Sequence, residues 1–450
     1  MKRSRPARLT VLGLAVAVFA WPAALAFVDL CRHSNGPIRD PADFRAFYCA
    51  GAAIDRGADP YRTEPLRTCE RKTAATFGTP MRAGAVLPAP LPPYALAPFA
   101  LLARLPFLVA STSWFFLGIA TLFVTAFLVR RLTGIPLGAV LATLFLSEAI
   151  TSIMLGQVVP LILCALCAAG LALRLERPKL AAAMLGLAMI EPHVALPAAA
   201  ASFFFVPRAR LPLGVCAIAL AGFSVVTVAP ATAFEYVSRV LPLHARSELT
   251  ALGTQFSLST WLWAAGLEPG RAIDLGELSY ALACACSVFV AGCAVRRFDD
   301  GAYAAIVPPA FAVIGGVFIH VTQMVVAVPL GLAMIAGGRQ RLLAVAAVVC
   351  LAVPLEFFVT LRAVNHRFNA APPPPPRAFA LATEPRPAER DLAEAAEMAD
   401  ERSNFAGGDR RTTAEMILTK VPTWFGVVTI AGLTALAGRR RIPAAALPSA

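Results

Sequence analysis

Long uncharged apolar stretches recur along this chain, most of them closed by one to three arginines, and they leave few choices of fold. Hydrophobic residues fill 58% of the 450 positions and charged residues only 15%, with a mean hydropathy of +0.69. Runs of this length cannot alternate inward and outward like barrel strands. Backbone crossing lipid must satisfy its own hydrogen bonds, so the spanning elements are helices. The expected class is all-α: a polytopic integral membrane helical bundle. The net charge of +13 would suggest nucleic acid in a soluble chain. Here the Lys and Arg sit at the ends of apolar runs, which makes them orientation signals facing anionic lipid headgroups and argues against a nucleic-acid partner.

The basic start (Lys2, Arg3, Arg5, Arg8) precedes an apolar run from Leu9 to Leu30. Its length of about 20 residues favours a retained first span over a cleaved signal peptide. A cytoplasmic N-terminus predicts short Arg-rich connections on alternate loops. They occur at Arg130 and Arg131, Arg174 to Lys179, Arg208 and Arg210, Arg296 and Arg297, Arg339 and Arg341, and Arg439 to Arg441. Between these anchors the spans fall near 9–29, 105–128, 135–154, 158–173, 212–230, 275–295, 302–319, 322–337, 342–361 and 417–437, about ten in all. Residues 180–206 fit differently. They are apolar with basic ends, yet Glu191, Pro192 and His193 split them into halves too short to span, which predicts a broken or re-entrant hairpin lining protein or a water-filled cavity. A single long helix is the alternative, and it would strand Arg208 on the far side.

The organisation that follows is a transmembrane core over 1–362, including a first outer loop at 31–104, then a Pro-rich and acidic outer loop at 363–416, then a last helix and cytoplasmic tail at 417–450. The second loop begins with Pro372 to Pro376 and continues acidic and alanine-rich, as a spacer followed by a surface helix or disorder. Seven of the ten cysteines lie in apolar segments and read as small packing residues. Cys31, Cys49 and Cys69 face the outside, where one bridge is possible and the pair is left open. Cys164 and Cys167 lack partner histidines, and no metal or cofactor motif is present.

Asp43 opens a segment in which Phe44, Phe47, Tyr48, Ala50 and Ile54 recur at helical spacing, so it starts or caps a short amphipathic helix lying against the membrane. Asp59-Pro60-Tyr61 reads as a turn. Polar residues also gather at the outer ends or breaks of helices: Gln157, Glu191, His193, Gln255, His320 and Gln323. Isolated polar groups in bundles commonly make interhelical hydrogen bonds. Several at one end of a membrane protein point instead to a site. With Arg45, Tyr48 and Arg246 they are the candidate substrate-binding residues, and Asp43 is the candidate catalytic one. No Walker or Rossmann pattern appears, and the adjacent pair Asp299 and Asp300 lies in a cytoplasmic turn, so nucleotide chemistry is unsupported.

The segment from Asp43 to Gly51 with Gly57 to Tyr61, the approach Leu91 to Phe99, the stretch from Gly156 to Leu163, the stretch Arg177 to Ile190 and the turn Thr254 to Leu258 occur in this order. In that order they resemble the polyprenyl-phosphate-sugar-dependent glycosyltransferases of the GT-C fold class, in particular glycosyltransferase family 87, which includes bacterial mannosyltransferases. The resemblance implies a GT-C-like bundle in a bacterial plasma membrane. It also implies transfer of a hexose, plausibly mannose, from a polyprenyl-phosphate donor to a lipid or glycan acceptor on the extracytoplasmic side. Asp43 matches the aspartate taken as the general base, while Arg45, His320 and Arg246 are alternative partners for the departing phosphate. Two departures stand out: Val159 where the family commonly has Asn, and Glu191 where it commonly has Lys. A transporter or flippase is the competing reading, motivated by the broken hairpin, although the two halves show no repeat. A scaffold of envelope assembly is a third.

Overall fold

The computed structural model describes residues 41–76, 85–250, 255–337, 340–352, 392–397 and 410–436. The expected first span at 9–29, Cys31 and the run Pro372 to Pro376 lie outside them. The described residues are helical apart from connections and two isolated antiparallel bridges, Arg62 with Leu392 and Gln255 with His320.

The first part of the chain makes three short helices, α1 (Ala42–Asp55), α2 (Thr63–Thr76) and α3 (Pro93–Leu102). A Cys49–Cys69 disulfide joins α1 to α2, selecting one of the pairings left open by the sequence. The aromatic face of α1 is turned into protein. Phe44 is fully buried and its ring centre lies 5.7 to 6.2 Å from those of Tyr48, Phe99, Phe107 and Trp114. Ring pairs at this separation add to simple burial, and they fix α1 against α3 and the next helix.

That helix is α4 (Phe107–Thr133), followed by α5 (Leu137–Leu146), α6 (Ala149–Leu155), α7 (Val159–Arg174), α8 (Pro178–Ala188), α9 (Pro192–Phe205) and α10 (Arg210–Thr227). Next come α11 (Pro230–Glu235), a π-turn, α12 (Leu241–Ser247), α13 (Leu258–Ala264), α14 (Pro269–Phe298), α15 (Tyr303–Ala312), a 3₁₀ segment Val321–Ala327, α16 (Val328–Gly337), α17 (Arg341–Ala352) and α18 (Arg410–Leu436).

Three of these are long and apolar enough to cross a membrane: α4, α10 with its preceding turn from Pro207, and α14; the bent pair α5 and α6, at 55°, makes a fourth. The ten spans read from hydropathy are therefore not ten long helices. Hydropathy registers an apolar run but not its breaks, and Pro308 and Pro309 inside α15 or the 3₁₀ backbone after His320 leave shorter pieces. Burial follows the same division. In α10 only Leu213 is buried, whereas nine of the ten residues of α15 are. Long helices face outward, where lipid would be, and the short ones with irregular continuations are enclosed by protein, the one setting in which such backbone is tolerated at membrane depth.

Four of the arginine-bearing connections, those at Arg130 and Arg131, Arg174 to Lys179, Arg208 and Arg210, and Arg296 and Arg297, meet at one end. Arg174 donates to Asp300 at 2.7 Å and to the carbonyl of Leu132 at 2.8 Å, and Arg208 pairs with Glu176. Leu132, Arg174, Arg177, Pro178, Pro207 and Arg208 border one recess there. The segment 178–206 thus leaves this end and returns to it, broken at Glu191, so the hairpin holds and the single long helix does not.

Candidate functional site

Gly156 ends α6 with φ +77°, a conformation L side chains rarely adopt. A Cβ built there would lie 2.4 Å from that of Phe44. Because the residue is glycine, the start of α1 sits directly on the break between α6 and α7, and Asp43 meets the next residue, Gln157. Asp43 does not cap its helix, since Pro41 holds the cap position without a side-chain bond. Its carboxylate is hydrogen-bonded to the Gln157 side chain. The Gln157 carbonyl oxygen accepts from Thr322 Oγ1 at 2.6 Å, which assigns its NH₂ group to Asp43.

The neighbouring Gln323 reaches the apex of the broken hairpin. Its Nε2 donates to Glu191 Oε2 at 2.9 Å and lies 2.8 Å from His193 Nε2. Its Oε1 accepts from the backbone N–H of His320 at 2.9 Å. His320 stands opposite Gln255 in the backbone bridge, where Phe256 N–H donates to the Ile319 carbonyl at 2.6 Å. Fully buried Gln255 accepts from Ile319 N–H at 2.9 Å and donates to Glu248 Oε2 at 2.6 Å. Asp43, Gln157, Glu191, His193, Gln255, His320 and Gln323 are therefore one connected polar cluster, assembled from five separate segments around 320–323. Asp43, Gln157, Glu191, His193 and His320 are intermediate in burial, whereas Gln255 and Gln323 are buried.

Electrostatics act on Asp43 from several sides. Burial raises the Asp43 carboxyl above its ordinary value; the Gln157 hydrogen bond and the charges of His320 and Arg45 pull it down, and Glu248 pushes it up. A carboxylate drawn towards neutrality takes a proton more readily at working pH. Arg45 itself is buried in the core of α1 and acts through its charge on Asp43 and Glu70.

Two expected residues stand elsewhere. The Tyr48 hydroxyl donates to the carbonyl of Leu105 at 2.8 Å and its ring lies against Phe107, so its role is to anchor α1. Arg246 is exposed. It follows His244 by two positions, about 200° around the helix, and His244 is the one turned inward.

Four residues were missed by sequence reasoning. His244 and Glu248 share a face of α12 and its extension by i, i+4 spacing, a signal that was present but masked by neighbouring Arg246. Glu394 bonds His244 Nδ1 at 3.1 Å and is 1% exposed. Residues 392–397, expected as spacer, surface helix or disorder, are instead packed inside, with Ala393 N–H on the Tyr61 carbonyl at 2.9 Å. Buried Lys420 of α18 donates to the Gln255 carbonyl and lies 5.1 Å from the Phe256 ring centre.

A helical bundle with outward apolar helices and a carboxylate-, histidine- and amide-lined cluster at one end is a membrane protein equipped for polar chemistry. Residues 91–329 match the model of glycosyltransferase family 87. The chain belongs to that family and is a membrane glycosyltransferase. No curated protein and no solved structure matches it. The matched region holds Gln157, Glu191, His193, His244, Gln255, His320 and Gln323; Asp43 precedes it and joins through Gln157.

Proposed function

We propose that the protein transfers a hexose such as mannose from a polyprenyl-phosphate donor to a lipid or glycan acceptor at the extracytoplasmic face of a bacterial plasma membrane, with Asp43 as general base. The reading is supported above all by the Asp43–Gln157 hydrogen bond, which holds the carboxylate among groups able to bind sugar hydroxyls. Asp43 takes the proton of the acceptor hydroxyl as its oxygen bonds to the anomeric carbon. The bond from that carbon to the phosphate oxygen breaks, and polyprenyl phosphate departs with the electron pair. A single displacement inverts the anomeric centre. Gln157, Gln323 and Glu191 suit hydroxyl recognition, and Lys420 supplies positive character near the leaving anion. Glu191 in place of the family's lysine turns that position from a phosphate partner into a hydroxyl acceptor.

The orientation rests on the arginine-rich end being cytoplasmic, which places the cluster and the Cys49–Cys69 disulfide on the oxidising side. The test supplies membranes holding wild-type or Asp43→Asn protein with radiolabelled polyprenyl-phosphate hexoses. Label should enter acceptor in the wild type only. Undiminished transfer by the variant removes Asp43 from the mechanism, and failure of every polyprenyl-phosphate hexose removes the donor.

A further inference from the structure

His244, Glu248 and His320 each turn one ligand atom towards a common point, all within 4.8 Å of one another. Glu248 Oε1 and His320 Nε2 are 4.0 Å apart. Ligands at the corners of a tetrahedral zinc-type site stand about 3.4 Å apart, so closure needs side-chain shifts below about 1 Å. Glu394 Oε2 lies 3.1 Å from His244 Nδ1, a carboxylate–histidine arrangement of the kind that orients a ligating imidazole. A second observation is independent of the trio. The other oxygen of Glu394, Oε1, is buried with no hydrogen-bond partner, although an unmatched buried carboxylate oxygen costs on the order of 1–3 kcal/mol or more. A nearby cation would offset that cost. His244 and Glu394 also form a second potential ligand group with Glu397, its ligand atoms likewise within 4.8 Å.

We propose that His244, Glu248 and His320 bind one divalent transition-metal cation of the zinc or manganese type, with Glu394 positioning His244. Two imidazoles and a carboxylate suit such an ion over magnesium or calcium, which prefer oxygen donors alone. Three protein ligands leave a coordination position open. Under the transfer reaction proposed above, on which this part rests, the open position accepts an oxygen of the departing phosphate. The ion then disperses charge as the anomeric bond breaks, a few ångströms from the base's own neighbours.

The test uses full-length protein in detergent or nanodiscs. It is stripped with chelator, loaded separately with Zn²⁺, Mn²⁺ or Co²⁺, and assayed for metal per chain by mass spectrometry with no sugar donor present. About one equivalent is expected in the wild type, with loss in Glu248→Gln and His244→Gln and an affinity reduced about 10–100-fold in Glu394→Gln. Because a truncated ligand can disturb folding, His320→Cys provides a gain of signal. With Co²⁺ it should add a thiolate charge-transfer band that the wild type lacks. No stoichiometric metal in the wild type, or no new band from a folded His320→Cys protein, overturns the site. Transfer is measured separately: stoichiometric metal without transfer leaves the site standing and ends the donor reading, whereas transfer by metal-free protein ends the catalytic role given to the ion.

Discussion

A single hydrogen at Gly156 decides where Asp43 stands. Replacing it by the methyl group of Gly156→Ala both strains a φ of +77° and drives Cβ towards Phe44. The left-handed conformation costs about 1–2 kcal/mol, and Phe44 can retreat only by moving Asp43 with it. Transfer should fall on the order of a hundredfold while protein still accumulates in the membrane; unchanged initial rates would dissociate Gly156 from the site. Glu70 of α2 titrates differently from an ordinary carboxylate. It is fully buried with Oε2 on Leu87 N–H at 2.9 Å, and burial pushes it up to about 8 from 4.5, against the charges of Arg45 and Arg67. A folded value above the unfolded one means stability that is whole below pH 4.5 and is lost as pH rises through 8, on the order of a few kcal/mol. Thermal unfolding in detergent should therefore occur at lower temperature as pH climbs from 5 to 9 in the wild type. Glu70→Gln should flatten that dependence, and an equal slope in both would refute the assignment.

The 3₁₀ segment Val321–Ala327 is the element that organises the cluster, because Thr322 and Gln323 face different partners from adjacent positions. Gln323→Leu removes the donor to Glu191 and the cap to His320 N–H, and should destabilise the protein by about 1–3 kcal/mol while lowering transfer; a neutral result in both thermal unfolding and rate would show that the cluster tolerates disconnection. Most of this cluster was legible in the sequence. Gln157, Glu191, His193, Gln255, His320 and Gln323 are polar groups in apolar surroundings, and such residues are expensive enough to be noticed. Glu394 was not, since a glutamate in an acidic, alanine-rich stretch looks like one on a solvated face until folding buries it. Lys420 was hidden for a related reason: a lone cation near a helix start reads as an interface anchor. Aromatics at helical spacing marked α1 as amphipathic, but the cover expected from lipid comes from protein, because Phe99, Phe107 and Trp114 of α3 and α4 pack on that face.

Across the whole molecule, two ends of unlike chemistry are held apart by α7, whose 16 residues run about 24 Å from beside Gln157 to Arg174. Hydropathy gave the apolar runs and the arginines gave their common end, yet neither revealed which runs break into short enclosed helices, since that depends on the neighbours that take up freed backbone groups. Arg104 and Arg208 are both exposed and lie at opposite ends. Cysteines placed at these positions should accept a membrane-impermeant thiol reagent from outside at 104 only, and labelling at 208 from outside would reverse the orientation. The account stands or falls on Asp43 and Gln157 acting as one catalytic unit. Initial rates of sugar transfer by the wild type, Gln157→Leu, Asp43→Asn and the double variant test this directly. Asp43→Asn should lose about 10²–10⁴, and the double variant should be no slower than Asp43→Asn alone. A double variant slower by the product of the two separate losses would contradict it.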